Sequence, residues 1–215
     1  MSEIRPGALR LVSITPGDRS PAETLALADA GLSGGVTTIL LRERAGAPSA
    51  LRALACDIAG LCRVAGALLL VSNDVALALH CGAEGVHLGH GGPTVTTVRQ
   101  QAPELVVGRS AHWPISDEDR AADFVTLSPV ASTPRSLPRP LLSAAQLSAA
   151  VADPDLGPIV ALGGLDLQTI GKLPQGIAGV AVIRALADAV DPSAAARKLL
   201  QAFLHSPAQR TGQTS

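Results

Sequence analysis

Apolar, β-branched segments alternate with Ala- and Leu-rich segments eight times along this chain, and that alternation leaves very few architectures open. Strand-like runs begin near residues 9, 37, 67, 85, 106, 124, 158 and 179. A stretch with helical spacing follows each of them: Pro21 to Ser33, Pro48 to Val64, Val75 to Cys81, Thr94 to Gln101, Asp117 to Ala122, Ser143 to Val151, Asp166 to Leu173 and Asp191 to Leu204. Strands that alternate with helices pair in parallel, because each helix carries the chain back to the start of the next strand. Eight such units make a (β/α)8 TIM barrel. The competitor is an open doubly wound sheet, which more often has about five to seven strands and a glycine-rich turn after the first. Here that turn reads Thr15-Pro16-Gly17. The expectation is a single barrel domain over residues 1–205, with a polar, disordered tail over residues 206–215.

The core must be aliphatic, since 47% of residues are hydrophobic but only two are Phe, one is Trp and none is Tyr. Branched aliphatics in strands, covered by Ala/Leu helices, suit a parallel sheet buried on both faces. The net charge of −1 carries no basic stripe, and the aromatics needed for base stacking are missing, which argues against a nucleic-acid partner. No apolar run reaches the roughly 18 residues that span a bilayer, and Met1 to Pro6 lacks an apolar signal core, so a soluble cytoplasmic protein is expected. Cys56, Cys62 and Cys81 are odd in number and form no CxxC pair, and they read as reduced thiols.

A barrel of this class puts its active site at the C-terminal ends of the strands. Polar and glycine residues gather at those ends: Arg42, Glu43 and Arg44; Asn73 and Asp74; His90; Ser110 and His112; Ser128 and Thr133; Gly163 and Gly164; Arg184. Gly163 and Gly164 after the seventh strand, with Ile183 and Arg184 at the end of the eighth, suit a phosphate. Barrels commonly bind phosphate there, glycines let backbone N–H groups approach an anion, and a helix N-terminus favours negative charge. Without a ligand the same glycines would simply make a tight turn. His112 is the candidate for proton chemistry, because an imidazole ordinarily titrates near neutral pH. It lies two residues after Ser110, on the same face of an extended segment. His87, inside the strand Val86-His87-Leu88, reads as a satisfied interior histidine, and His80 and His205 carry no assignment.

Taken together, the strand ends resemble the thiamin phosphate synthase/TenI superfamily. The matching pieces are Gly34-Gly35-Val36 leading to Leu40-Leu41-Arg42-Glu43-Arg44, Ser72-Asn73-Asp74 and Gly85-Val86-His87-Leu88-Gly89. Gly108-Arg109-Ser110-Ala111-His112, Ser128-Pro129-Val130, Ala161-Leu162-Gly163-Gly164 and Gly179-Val180-Ala181-Val182-Ile183 complete the set, in family order. The resemblance implies a barrel that is often a homodimer and that works on thiazole phosphates in thiamin biosynthesis.

The superfamily has two main activities. The synthase joins a pyrimidine pyrophosphate to a thiazole phosphate and needs magnesium. Its Gln-x-Arg-Glu-Lys pattern has Leu40 and Arg44 here at the Gln and Lys positions. Of its two metal carboxylates, one is matched by Asp74 and the other falls on Gly92. Its Pro-Thr-x-Thr-Lys loop is represented by Thr133, Arg135 and Ser136, and its Ile-Ser by Ile183-Arg184. The losses remove cations from the place where negative charge would develop, with Arg135, Arg44 or His90 as the available replacements. The TenI branch is a metal-free thiazole tautomerase whose histidine falls in Gly-Arg-Ser-x-His, matched by His112, although many synthases carry a histidine there too. The expectation is therefore a tautomerase with His112 as general acid/base. Arg42, Arg44, Asn73, Ser110, Thr133, Gly163, Gly164, Ile183 and Arg184 bind substrate, no cofactor is used, and Mg2+ at Asp74 belongs only to the synthase reading. A divergent thiamin phosphate synthase is the first alternative, and a non-catalytic barrel that binds a thiazole or thiamin phosphate is the second.

Overall fold

Parallel pairing runs through all eight strands and returns to the first, so the sheet is a closed barrel in the order β1 to β8, and the open doubly wound sheet is ruled out. The computed structural model describes residues 4–43, 47–132 and 140–209. The strands are β1 (Leu11–Ile14), β2 (Thr38–Leu41), β3 (Leu68–Ser72), β4 (Gly85–Leu88), β5 (Val106–Ala111), β6 (Phe124–Leu127), β7 (Ile159–Leu162) and β8 (Gly179–Val182). Between them run α1 (Pro21–Ser33), α2 (Pro48–Ala65), α3 (Val75–Cys81), α4 (Val95–Gln101), α5 (Asp117–Arg120), α6 (Ala144–Val151) and α7 (Leu167–Ile170), and α8 (Arg184–Ala187) and α9 (Pro192–Leu204) follow β8. Among the described residues, no helix is long and apolar enough to cross a membrane.

Strand alternation divides the apolar residues into two cores. The odd-numbered Leu11, Ile39, Leu41, Leu69, Val71, Val107, Val125, Leu127 and Ala161 face the helices, as do Val86, Leu88, Val180 and Val182. Val12, Ile14, Leu40, Leu70, Val106, Phe124, Val160 and Ala181 fill the barrel interior. Successive side chains of a strand point to opposite faces, which is why two residues adjacent in sequence belong to different cores. Phe124 is fully buried, and it fills the interior over Gly108, where an added Cβ would overlap the ring. With so few aromatics available, one phenyl ring supplies most of the bulk in that layer.

The helices begin where the sequence places hydrogen-bonding caps. Ser20 and Glu23 form a reciprocal capping box at α1, Ser143 and Gln146 form one at α6, and Asp74 caps α3 through Leu77 N–H at 2.8 Å. Each cap satisfies N–H groups that have no partner within their own helix. Gly66 and Gly82 end α2 and α3 in the left-handed conformation. Asp123 ties α4 to the sheet, because its carboxylate accepts from Arg99 at 2.6 Å and from Val107 N–H at 2.8 Å.

Several limits differ from expectation, and the helix expected over Asp166–Leu173 spans only Leu167–Ile170. The turn α8 was not anticipated, since four residues are too few to show a helical period. Residues 206–209, expected to belong to a disordered tail, are packed on the barrel. Ser206 and Ala208 are buried, Pro207–Gln209 form a 3-10 turn, and Gln209 Nε2 donates to the Ile177 carbonyl at 3.1 Å. Residues 210–215 lie outside the described residues.

Candidate active site

The alternation that fills the barrel interior continues past the strand ends and brings polar residues to its mouth. Ser110 ends the interior face of β5, and His112 follows just beyond the strand. A cleft of about 430 Å³ opens there between the β4–α4 and β5–α5 loops, lined by His90, Gly92, Thr94, Ser110, His112 and Glu118, among others. His112 Nδ1 lies 2.8 Å from the Ser128 carbonyl oxygen at the end of β6. A carbonyl only accepts, so Nδ1 carries the proton, and Nε2 of the neutral ring keeps its lone pair. The imidazole is thus oriented by backbone and left with a basic nitrogen on a residue that lines the cleft. Trp113, the chain's sole tryptophan, follows it and is 41% exposed.

Asn73 has the only left-handed non-glycine backbone among the described residues, with φ 60°. Its Oδ1 accepts the Gly89 N–H at 2.7 Å, clasping the end of β3 to that of β4. An added Cβ at Gly92 would overlap this same Oδ1 and lie 2.6 Å from Asn73 Cγ. A side chain at position 92 would therefore have to displace the Asn73 amide from Gly89. Asp74 is exposed and serves α3 as its cap.

On the opposite side of the mouth the glycines have packing roles. A Cβ at Gly164 would overlap the carbonyls of Ala131 and Ser132, and Gly163 (φ 103°) packs against Pro129 while its carbonyl accepts Ala131 N–H at 2.9 Å. Both glycines bring the β7–α7 turn close to the β6–α6 loop. The Ile183 side chain packs on the interior core. Arg184 pairs with Asp18 at 2.5 Å and with Asp188 at 3.4 Å, which sets it on the rim between β1 and β8. Arg44 and Thr133, and with them Arg135 and Ser136, lie outside the described residues.

Arg42 stands at the end of β2, its backbone N–H donating to Thr15 Oγ1 at 2.8 Å. Burial pushes the neighbouring Glu43 carboxyl up, against a hydrogen bond from Thr15 and the Arg42 charge. Arg109 points outward to α5, where it pairs with Asp119 at 2.8 Å. Glu118 and Thr94 at the cleft were not picked out from sequence, since both lie on loops or short helices with no strand-end signal.

His87 is an interior residue. It is 4% exposed, its Nε2 lies 3.0 Å from Thr126 Oγ1, and its ring packs on Phe124 at 5.9 Å between centroids. Burial, and then the Arg42 charge, lower its pKa to about 4. In the unfolded chain a histidine titrates near 6.5. Between those values the unfolded chain binds a proton that the folded chain refuses, so stability falls as pH drops through the window, by up to about 3 kcal/mol. Urea unfolding at pH 7 and at pH 4.5 is expected to show this loss, and His87→Asn to reduce the difference. An unchanged difference in the variant would assign the acid sensitivity elsewhere. The buried Cys62 thiol is pushed up to about 12 by burial, as suits an inert core thiol.

Comparison with known proteins places this geometry. Residues 11–186 match the model of the family described as thiamine monophosphate synthase. The chain is similar to the thiamine-phosphate synthase of Chromobacterium violaceum, 36% identical over 194 residues, covering 88% of this chain and 93% of the relative. It is also similar to the thiamine-phosphate synthase of Mycobacterium tuberculosis, 33% identical over 220 residues, covering 94% and 98%. Among solved structures, thiamine phosphate pyrophosphorylase from Pyrococcus furiosus superposes with a TM-score of 0.79 at 25% identity, over 92% of this chain and 96% of that one.

Proposed function

We propose, for a chain that belongs to the thiamine monophosphate synthase family, that it is a thiamin-biosynthesis enzyme joining a pyrimidine diphosphate to a thiazole phosphate. The observation that carries this reading is the identity of 33–36% with proteins named thiamine-phosphate synthase, over most of both chains. It replaces the tautomerase as first reading. In the coupling the thiazole nitrogen supplies an electron pair to the pyrimidine methylene carbon, and the diphosphate leaves with the pair of the broken C–O bond. The backbone at Gly163, Gly164 and Ile183 would hold the thiazole phosphate. Arg42 would supply positive charge at the mouth, and Asn73 and Ser110 would donate hydrogen bonds to the leaving group.

Magnesium, which the family resemblance implies for this coupling, does not fit the residues present. Position 92 carries no carboxylate, Asp74 is used as a helix cap, and no group of three His, Cys, Asp or Glu residues suited to a metal occurs among the described residues. Charge stabilisation is accordingly ascribed to the chain's own donors.

One observation favours a second reading, the thiazole tautomerase. The Ser128 carbonyl holds His112 with its Nε2 unbonded to any described residue at the cleft, the arrangement a general base needs. The two are separated by offering the pure protein each substrate set. Thiamin phosphate formation with pyrophosphate release supports the first reading. Aromatisation of the thiazole carboxylate phosphate, followed by ultraviolet absorbance in EDTA and without coupling, supports the second. Binding of thiazole phosphate with neither turnover supports a non-catalytic binding barrel and overturns both.

A further inference from the structure

Two segments of the rim are joined by charge. The loop after β1 contributes Asp18 and Arg19, and the segment after β8 contributes Arg184 and Asp188. Ser13 pairs with Val182 in the sheet, so the two segments leave the barrel side by side. Arg184 Nη2 lies 2.5 Å from Asp18, and its Nη1 lies 3.4 Å from Asp188. Arg19 lies 3.9 Å from Asp188, and its Nη2 donates to the carbonyl of Ala187, the last residue of α8. Acid and base thus alternate through Asp18, Arg184, Asp188 and Arg19, and both ends of α8 are tied to one short loop. A helix of four residues needs such ties, because a single turn fixes many dihedrals for few hydrogen bonds, and Ile183 gives it no side-chain cap. The tie carries a cost. Arg19 Nε is buried without a hydrogen-bond partner, which is unfavourable for any donor. That cost is out of proportion to an ordinary surface ion pair, which stabilises little. It points to the placement of α8 as the thing gained.

We propose that Asp18 and Asp188 are positioning residues, which with Arg19 clamp α8 so that the Ile183 backbone is held where the substrate phosphate meets it. Arg184 then acts on the loop, through Asp18, and is not a direct ligand of the phosphate. The inference rests on the reading that the Ile183 backbone holds the thiazole phosphate. It assigns a favourable role in anion binding to two carboxylates, which by charge alone would oppose it.

The test is calorimetric titration of the full chain with thiazole phosphate, and its outcome is a sign. Removing a carboxylate beside an anion site ordinarily tightens binding, because like-charge repulsion is relieved. Asp18→Asn and Asp188→Asn are each expected to weaken it instead, by roughly three- to tenfold, the loss of one hydrogen-bonded charge pair held partly out of solvent. Asp18→Glu keeps the charge and should recover most of the affinity. Asp153→Asn, which breaks the 3.0 Å pair with Arg120 after α6, is the control and should leave it unchanged. Far-ultraviolet circular dichroism checks that the variants fold, and the two Asp→Asn variants probe the clamp separately. Tighter binding in Asp18→Asn would make Arg184 a direct phosphate ligand and overturn the inference. Unchanged affinity in both Asp→Asn variants, an equal loss in Asp18→Glu, or an equal loss in Asp153→Asn would also overturn it. Wild-type protein that binds thiazole phosphate while the variants match it refutes the clamp alone and leaves the proposed function intact. Wild-type protein that does not bind thiazole phosphate refutes both. Because the readout is binding, the expected losses in a chain that turns over neither substrate set refute the enzymatic reading and leave the clamp standing.

Discussion

Replacing His112 by Ala is expected to lower aromatisation of the thiazole carboxylate phosphate by roughly 10²- to 10⁴-fold, the usual contribution of a positioned general base. The same substitution should lower the coupling reaction far less. The reason lies in the electron bookkeeping of the two reactions. Aromatisation must move a proton, and His112 is the residue whose Nε2 lone pair is left available by the 2.8 Å contact of Nδ1 with the Ser128 carbonyl. Coupling forms its bond with a nitrogen lone pair and breaks a C–O bond, so no side chain has to take a proton in that step. Steady-state rates of both reactions, measured on the wild type and on His112→Ala, give the comparison. Equal losses in both assays would mean that His112 positions substrate, and no loss in the aromatisation assay would remove it from the chemistry altogether.

Phe124→Ala is expected to cost about 3–5 kcal/mol of folding stability, the range found for emptying a fully buried aromatic site. The ring fills the barrel interior between Gly108 and His87, and the strands around it are held in register on both sides, so the space cannot close. For a chain of this size that cost corresponds to a fall in melting temperature of roughly 6–20 °C. Calorimetry on the two proteins measures it, and a fall of less than about 2 °C would show that the interior repacks around the gap. The effect should be severe because no second phenyl ring shares the layer: the chain contains only one other Phe, and Phe203 lies among the helices in α9.

The barrel was legible because its signals are local and repeated. Pro21–Ser33 and Val75–Cys81 were read with their observed limits, since Ser20 and Asp74 cap one end of each and glycines end the other. The turn α8 was not legible, and neither was the packed Ser206–Gln209 segment, whose anchor is the Ile177 carbonyl more than thirty residues away in sequence. The site divides along the same line. That Ser110 and His112 share a face follows from the strand period, and the structure places both at the cleft. What Arg184 does could not be read, because its partner Asp18 is 166 residues away and joins it only when β8 closes on β1. For Gly163 and Gly164 the structure adds a second reason for glycine: a side chain at Gly164 would meet the backbone of the β6–α6 loop, a contact between segments that sequence spacing does not reveal. The contact of Gly92 with the Asn73 amide is likewise invisible in sequence, since it depends on the left-handed turn of Asn73 and on the approach of two loops.

Trp113 has a practical consequence. It is the only tryptophan in a chain without tyrosine, it is partly open to solvent, and it is covalently next to His112. All long-wavelength ultraviolet emission from this protein therefore originates one residue from His112, and the chain carries a built-in optical reporter beside its own cleft. Filling that cleft should alter the polarity around a single indole, so its emission wavelength and its quenching by iodide can follow ligand occupancy in unlabelled protein.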